Sequence, residues 1–129
     1  MSRRLLLVDD APEIRLIAGM SLERVGGWTV VSVADGEAAL DMTRSDRGFD
    51  AVLLDVMMPG MDGPTTLARL RAGGLPAEVP VIFLTAKTQA SERRRLLSLG
   101  ATGVIANPFD PLTLPGELEQ LLTLASSPR

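Results

Sequence analysis

Leu5-Leu6-Leu7-Val8-Asp9-Asp10-Ala11-Pro12-Glu13 decides how this chain folds. Four apolar residues in a row, without polar alternation, read as a strand buried on both faces, as in a parallel sheet covered by helices. The run ends abruptly on two aspartates. Asp10 and Glu13 stand at capping-box spacing, so a helix is expected to begin near Pro12 with Asp10 as its cap. Acidic side chains that terminate an apolar strand suggest a cation or a phosphoryl group as their ligand.

The same grammar recurs along the chain. Further short apolar runs are Trp28 to Val33, Ala51 to Leu54, Val81 to Leu84 and Val104 to Ala106, the second of them followed by Asp55. Between them lie stretches with helical spacing: Ile14, Ile17, Leu22 and Val25; Leu67 and Leu70; Leu96, Leu97 and Leu99; Leu118, Leu121 and Leu122. Gly26-Gly27 is placed to end the first helix and Asp35-Gly36 to open the second. The pattern is strand then helix, five times. With a right-handed crossover at each step it gives an open, doubly wound α/β sheet with helices on both faces.

At 129 residues the chain reads as one domain over residues 1–125, with 126–129 a tail expected to fray. It contains neither cysteine nor histidine. Disulfides, zinc thiolate sites, thiol catalysis and the usual general base are therefore excluded, and hard oxygen-ligand chemistry remains. A net charge of −3 argues against a nucleic-acid surface. The apolar stretch after Arg3-Arg4 stops too soon for a signal peptide, and no run approaches the ~18 residues of a membrane span, so a soluble, cytoplasmic protein is expected.

Ligands of such sheets sit beyond the carboxyl ends of the strands. Asp9, Asp10, Asp55, Thr85 and Asn107 all fall there, from four different strands. Neighbouring strands lie ~4.8 Å apart, so carboxylates at their ends converge. Each like-charge pair at ~4 Å costs on the order of 1 kcal/mol in water and ~4 at an effective dielectric of 20. Such a cluster needs a cation, and Mg²⁺ takes carboxylates, phosphate and water.

The segments Leu7-Val8-Asp9-Asp10, Leu54-Asp55-Val56-Met57-Met58-Pro59-Gly60-Met61-Asp62-Gly63, Leu84-Thr85-Ala86 and Asn107-Pro108-Phe109 together resemble the response-regulator receiver domains of two-component signalling. The second string is highly specific. The resemblance covers essentially the whole chain and implies a flavodoxin-like fold with strand order 2-1-3-4-5. It implies Asp55 as phosphoacceptor and Mg²⁺ or Mn²⁺ held by Asp10, by Asp9 through water, by Asp55 and by the Met57 carbonyl. It further implies Thr85 and Ala86 as phosphoryl-binding and switch positions, and a cis peptide before Pro108. The partners implied are a histidine kinase or histidine phosphotransfer protein, with a downstream protein on the face of helix 4, strand 5 and helix 5.

The pattern departs from the family at two switch positions. Asn107 stands where receivers carry lysine; an amide donates a hydrogen bond but brings no charge. Without metal, the acids should then hold protons more tightly. Val104 replaces the aromatic residue that rotates inward on activation, and valine has one stiff torsion. Lys87 is a candidate replacement for the missing cation.

Plainer readings stand beside these. Asp10 and Thr85 would be helix caps, Asp62-Gly63 turn chemistry, and Met57, Met58 and Met61 loop packing. Arg93-Arg94-Arg95 would be a solvated helix face, or else a surface for an acidic partner.

The leading functional reading is a signalling protein rather than an enzyme, either free-standing or cut from a longer protein. It accepts a phosphoryl group from phosphohistidine onto Asp55 and assists its own phosphorylation and dephosphorylation. The alternative is a pseudo-receiver, a phosphorylation-independent interaction module, favoured by Asn107 and Val104. A phosphohydrolase would want a second catalytic acid and a substrate cap. A flavodoxin-type carrier would want a Ser/Thr/Gly-rich phosphate loop after the first strand, where Asp9-Asp10 would repel the ligand.

Overall fold

Each apolar run becomes a strand. A computed structural model of the chain describes residues 3–126, in which strands and helices alternate: β1 (Arg4–Val8), α1 (Pro12–Arg24), β2 (Thr29–Val33), α2 (Gly36–Ser45), β3 (Ala51–Asp55), α3 (Gly63–Ala72), β4 (Val81–Thr85), α4 (Ala90–Ser98), β5 (Gly103–Ala106) and α5 (Leu114–Ser126). The sheet is parallel in the order β2-β1-β3-β4-β5, the doubly wound flavodoxin-like arrangement. Val8 pairs with Leu54, and Asp55 with Leu84, so β1, β3 and β4 finish nearly level. Of the expected tail, α5 includes Ser126, and 127–129 lie outside the described residues.

The period of two divides the unalternating runs between two cores. Leu6, Val8, Val52, Leu54, Val81 and Phe83 pack with Leu40, Leu67, Leu70 and Leu96, under α2, α3 and α4. Leu5, Leu7, Leu53, Ile82 and Leu84 pack with Ala18, Leu22, Leu114 and Leu118, under α1 and α5. Fully burying one such side chain is worth about 1.5–3 kcal/mol. The three central strands are buried along almost their whole length and form a stiff platform for whatever stands at their ends.

The edges behave differently. The run from Trp28 is not buried on both faces: β2 starts at Thr29, Thr29 and Ser32 are exposed, and its three valines are half-buried. Being outermost, β2 has a neighbour on one side alone. β5, at the other edge, leaves Val104 half-buried and Ala106 exposed. Two strands also extend one residue beyond their apolar runs, so Asp55 and Thr85 are the last residues of β3 and β4. Backbone pairing is indifferent to side-chain polarity, and the ladder continues with the Val56 N–H donating to the Leu84 carbonyl.

The helix stripe expected in α1 is met at Leu22 and in part at Ile14, which packs against the core, but not at Ile17 or Val25. Ala18, Ser21 and Leu22 face inward, while Ile17 is 42% and Val25 56% exposed. Contact with the chain ahead of α5 selects this face: the Ser21 hydroxyl donates to the Pro111 carbonyl at 2.5 Å. In α4, Leu96 is buried whereas Leu97 and Leu99 are exposed. Leu67, Leu70 and Leu118 are buried as their spacing predicts.

Asp35 caps α2 by accepting from the Ala38 N–H at 2.8 Å, and Asp62 caps α3 by accepting from Thr65 at 2.9 Å. Past α1, Gly27 takes φ of 75°, a turn conformation suited to glycine. Asp10, by contrast, does not cap α1: the cap position is Ala11, which makes no side-chain bond, and Pro12 opens the helix with no N–H to satisfy. Among the described residues, no helix is long and apolar enough to cross a membrane.

Candidate functional site

The level ends of β1 and β3 bring three acids together. One carboxylate oxygen from each of Asp9, Asp10 and Asp55 lies within 4.8 Å of the others. Asp9 is buried, Asp55 partly buried and Asp10 exposed, so the cluster opens to solvent on the Asp10 side. The turn after β1 is fixed by its own polar groups: Asp9 N–H donates to the Val33 carbonyl at 3.2 Å, and Ala11 N–H to Asp9 Oδ1 at 2.9 Å. The second oxygen, Asp9 Oδ2, is buried without a hydrogen-bond partner. A buried lone pair with nothing donating to it is costly unless a cation or proton occupies it.

On β3, the Met57 N–H donates to Asp55 Oδ1 at 3.2 Å. The loop beyond then folds back tightly, with Gly63 N–H donating to the Val56 carbonyl at 2.9 Å. A Cβ at Gly63 would stand 2.5 Å from the Asp55 carbonyl oxygen and 2.8 Å from Val56 Cα, so only glycine fits where α3 starts against the end of β3. Turn chemistry, the reading that Asp62-Gly63 invites in sequence, does not disclose this close approach. Met58 and Met61 pack into the core, but the Met57 side chain is 65% exposed, unlike the packing expected of it.

Electrostatics follow from this geometry. Asp55 is pushed up to about 7, first by burial and then by the charge of Asp9, against the opposing Met57 N–H. Asp9 is also raised, again chiefly by burial, with the Ala11 N–H opposing. The tighter proton binding expected of the acids falls on Asp55 and Asp9, and desolvation outweighs the mutual repulsion that the sequence suggested as its cause.

Thr85, at the end of β4, is buried and its Oγ1 accepts from the Lys87 N–H at 3.0 Å. It therefore closes a local turn rather than capping α4, which begins at Ala90 after Gln89. Ala86 and Lys87 are exposed on that turn. Lys87 lines a surface hollow with Gln89, Ser91, Glu92 and Arg95, and its charge acts on Glu92. Asn107 follows β5, its N–H donating to the Thr85 carbonyl at 2.8 Å, and the Asn107–Pro108 peptide is cis. Val104 packs against the core on the α4 side. Arg95 pairs with Glu92 at 2.6 Å, whereas Arg93 and Arg94 are exposed.

One residue went unnoticed in the sequence. Arg15, in the first turns of α1, donates from Nη1 to the Asp9 carbonyl at 2.7 Å. Its position along a helix carries no signal that it reaches back over the turn.

Comparison with known proteins agrees with this geometry. Residues 5–119 match the response regulator receiver domain family. Response regulator MprA of Mycobacterium tuberculosis is 40% identical over 122 residues, covering 95% of this chain and 51% of that protein. The probable transcriptional regulator ycf27 of Cyanophora paradoxa is 36% identical over 126 residues, covering 98% of this chain and 51% of the relative. The chain thus spans about half the length of these curated relatives. Among solved structures, the chemotaxis response regulator CheY4 of Vibrio cholerae is 32% identical and superimposes with a TM-score of 0.87, over 95% of this chain and 100% of that one. With the parallel order β2-β1-β3-β4-β5 and the acids gathered at its carboxyl edge, the chain belongs to the response regulator receiver domain family of two-component signalling.

Proposed function

We propose that the chain is a phosphoacceptor receiver, taking a phosphoryl group from phosphohistidine onto Asp55 with a divalent cation at the acid cluster. Receivers as a family bind Mg²⁺ at an acidic pocket. The observation that carries the reading is the convergence of three carboxylates within 4.8 Å around the partnerless Asp9 Oδ2. Hard oxygen donors of this kind fit Mg²⁺ or Mn²⁺, with Asp9, Asp10, Asp55 and the Met57 carbonyl as the holding set. When bound, the cation would neutralise charge on the acids and on the incoming phosphoryl oxygens.

The residues have separate tasks. An Asp55 carboxylate oxygen attacks phosphorus in line, an O–P bond forms, and the P–N bond to the donor imidazole breaks with its electron pair leaving on nitrogen. A proton on Asp55, favoured by burial in the metal-free cluster, would oppose this attack, and a cation bound beside it would favour the carboxylate. The Thr85 hydroxyl, the Ala86 N–H and the Asn107 amide are the donors proposed for the transferred phosphoryl oxygens. The donor is a histidine kinase or histidine phosphotransfer protein in the cytoplasm. Output runs through a protein that meets the face of α4, β5 and α5, where Arg93 and Arg94 suit acidic groups.

A second reading is favoured by one observation. Val104, packed against the core with no ring to relocate, removes the aromatic half of the switch, which suits an interaction module insensitive to phosphorylation. Intact mass after incubation with acetyl phosphate, with and without Mg²⁺ and beside Asp55→Asn, separates the two. One added phosphoryl group that requires both Mg²⁺ and Asp55 is expected. No addition, with Mg²⁺ binding verified and a known receiver modified in parallel, leaves the interaction module.

A further inference from the structure

Resting on the metal site proposed above, we propose that Arg15 is a positioning residue that clamps the peptide plane joining Asp9 to Asp10. The carbonyl it binds, at 2.7 Å, is the carbonyl of that peptide, so its guanidinium fixes how the two acids are turned relative to each other. The remaining anchors of the turn are the Asp9 N–H on the Val33 carbonyl at the end of β2, the Ala11 N–H on Asp9 Oδ1, and the Ile14 and Arg15 N–H groups on the Ala11 carbonyl. They hold Asp9 and the helix start. Asp10, exposed at the mouth of the cluster, meets Asp55 with its side chain and is turned by the peptide plane behind it.

Arg15 is suited to this by its own surroundings. It is half-buried at the edge of a surface hollow that Glu23, Val30 and Ser32 also line, and its head reaches the carbonyl. A guanidinium is permanently charged, and a charge-assisted bond to a carbonyl is stronger than a neutral one. The bond sets a cation behind the turn that carries Asp9 and Asp10, in a chain that carries the neutral Asn107 beyond β5. Lys87, the replacement suggested by the sequence, lies exposed on the turn after β4.

The test is Mg²⁺ titration of the whole chain by ¹H–¹⁵N NMR, following the amides of Asp10, Ala11 and Met57. Arg15→Met keeps the stem and loses the head, and Arg15→Lys keeps a donor and the charge. Arg24→Met, an exposed arginine at the end of α1, controls for net charge, and melting in EDTA checks that each variant is folded. Arg15→Met is expected to weaken Mg²⁺ binding about tenfold, the usual effect of removing a group that orients a ligand. Arg15→Lys is expected to recover affinity to within about threefold of the unaltered chain, because an ammonium can still donate to the carbonyl. A purely structural role would lower the EDTA melting temperature and leave the dissociation constant alone. Arg15→Met binding within about twofold of the unaltered chain overturns the proposal, as does a folded Arg15→Lys no better than Arg15→Met. An unaltered chain with no Mg²⁺-dependent shifts overturns the metal site itself, which is a different result from an intact site indifferent to Arg15.

Discussion

The two halves of the candidate site are built to different standards. At the ends of β1 and β3, three acids converge, one of them buried with an unpartnered oxygen, on strands packed from both sides. At the ends of β4 and β5, Thr85 already accepts from the Lys87 N–H, Val104 sits half-buried on an edge strand, and Asn107 supplies an amide in place of a cation. The first half has the charge, desolvation and rigidity needed to hold a cation and a nucleophile. On the function proposed above, the second would lack the charge and the ring by which receivers report on a phosphoryl group, and chemistry and reporting would be separable in this chain.

The largest expected effect tests that separation directly. Asp55→Asn should abolish phosphoryl uptake from acetyl phosphate, whereas Asn107→Ala should slow it by roughly ten- to a hundredfold, the worth of one hydrogen bond to a charged oxygen of about 1.5–3 kcal/mol. If Asn107→Ala also abolishes uptake, the β5 side belongs to the chemistry and the contrast is wrong.

Next comes restoration of the missing charge. Asn107→Lys should lower the proton affinity of Asp55 by about 1–2 pKa units, since an opposite charge close by favours the carboxylate. Carboxylate NMR titration without metal measures this, and an unmoved Asp55 would mean that position 107 does not face the cluster.

The third prediction concerns stability. The native Asp55 pKa of about 7 lies above the unfolded value of about 4, so between these pH values the folded chain binds more protons than the unfolded one. Stability in EDTA should accordingly fall as pH rises from about 4 to about 7 and then level off; Asp9, shifted the same way, adds to the slope. Because Asp55 is partly open to solvent, the loss should be about 1–2 kcal/mol, well short of the full linkage value. Urea midpoints across this range measure it, and an Asp55→Asn profile as steep as the parent's would assign the slope to other groups.

The smallest effect belongs to the β5 edge. Val104→Tyr should change stability by less than about 1 kcal/mol, because the half-buried site lets a ring lie outward rather than overpack the core. It should leave uptake unchanged while the resonances of the introduced ring, in a chain that has no other tyrosine, shift with Mg²⁺ and phosphoryl addition. A large loss of stability would show that the edge is as tightly packed as the centre.

What could be read in the chain by itself was whatever depends on near neighbours. The central apolar runs, the aspartates after Val8 and Leu54, the opening of α2 at Asp35 and the glycines after α1 all act within a few residues, and each occupies its expected place; Asp62, read as turn chemistry, caps α3. The family motif, being contiguous, was equally legible. The tertiary structure decided the rest. It made β2 and β5 the exposed edges, turned Ile17 and Val25 of α1 outward, and gave the cap position of α1 to Ala11 rather than Asp10. It buried Asp9 while leaving Asp10 at the surface, and it carried Arg15 back over the turn to the Asp9 carbonyl. The physical reason is that periodicity says how side chains alternate along an element. Which face meets the core, and how far each acid is desolvated, depends on the strands and helices packed against it from distant parts of the sequence.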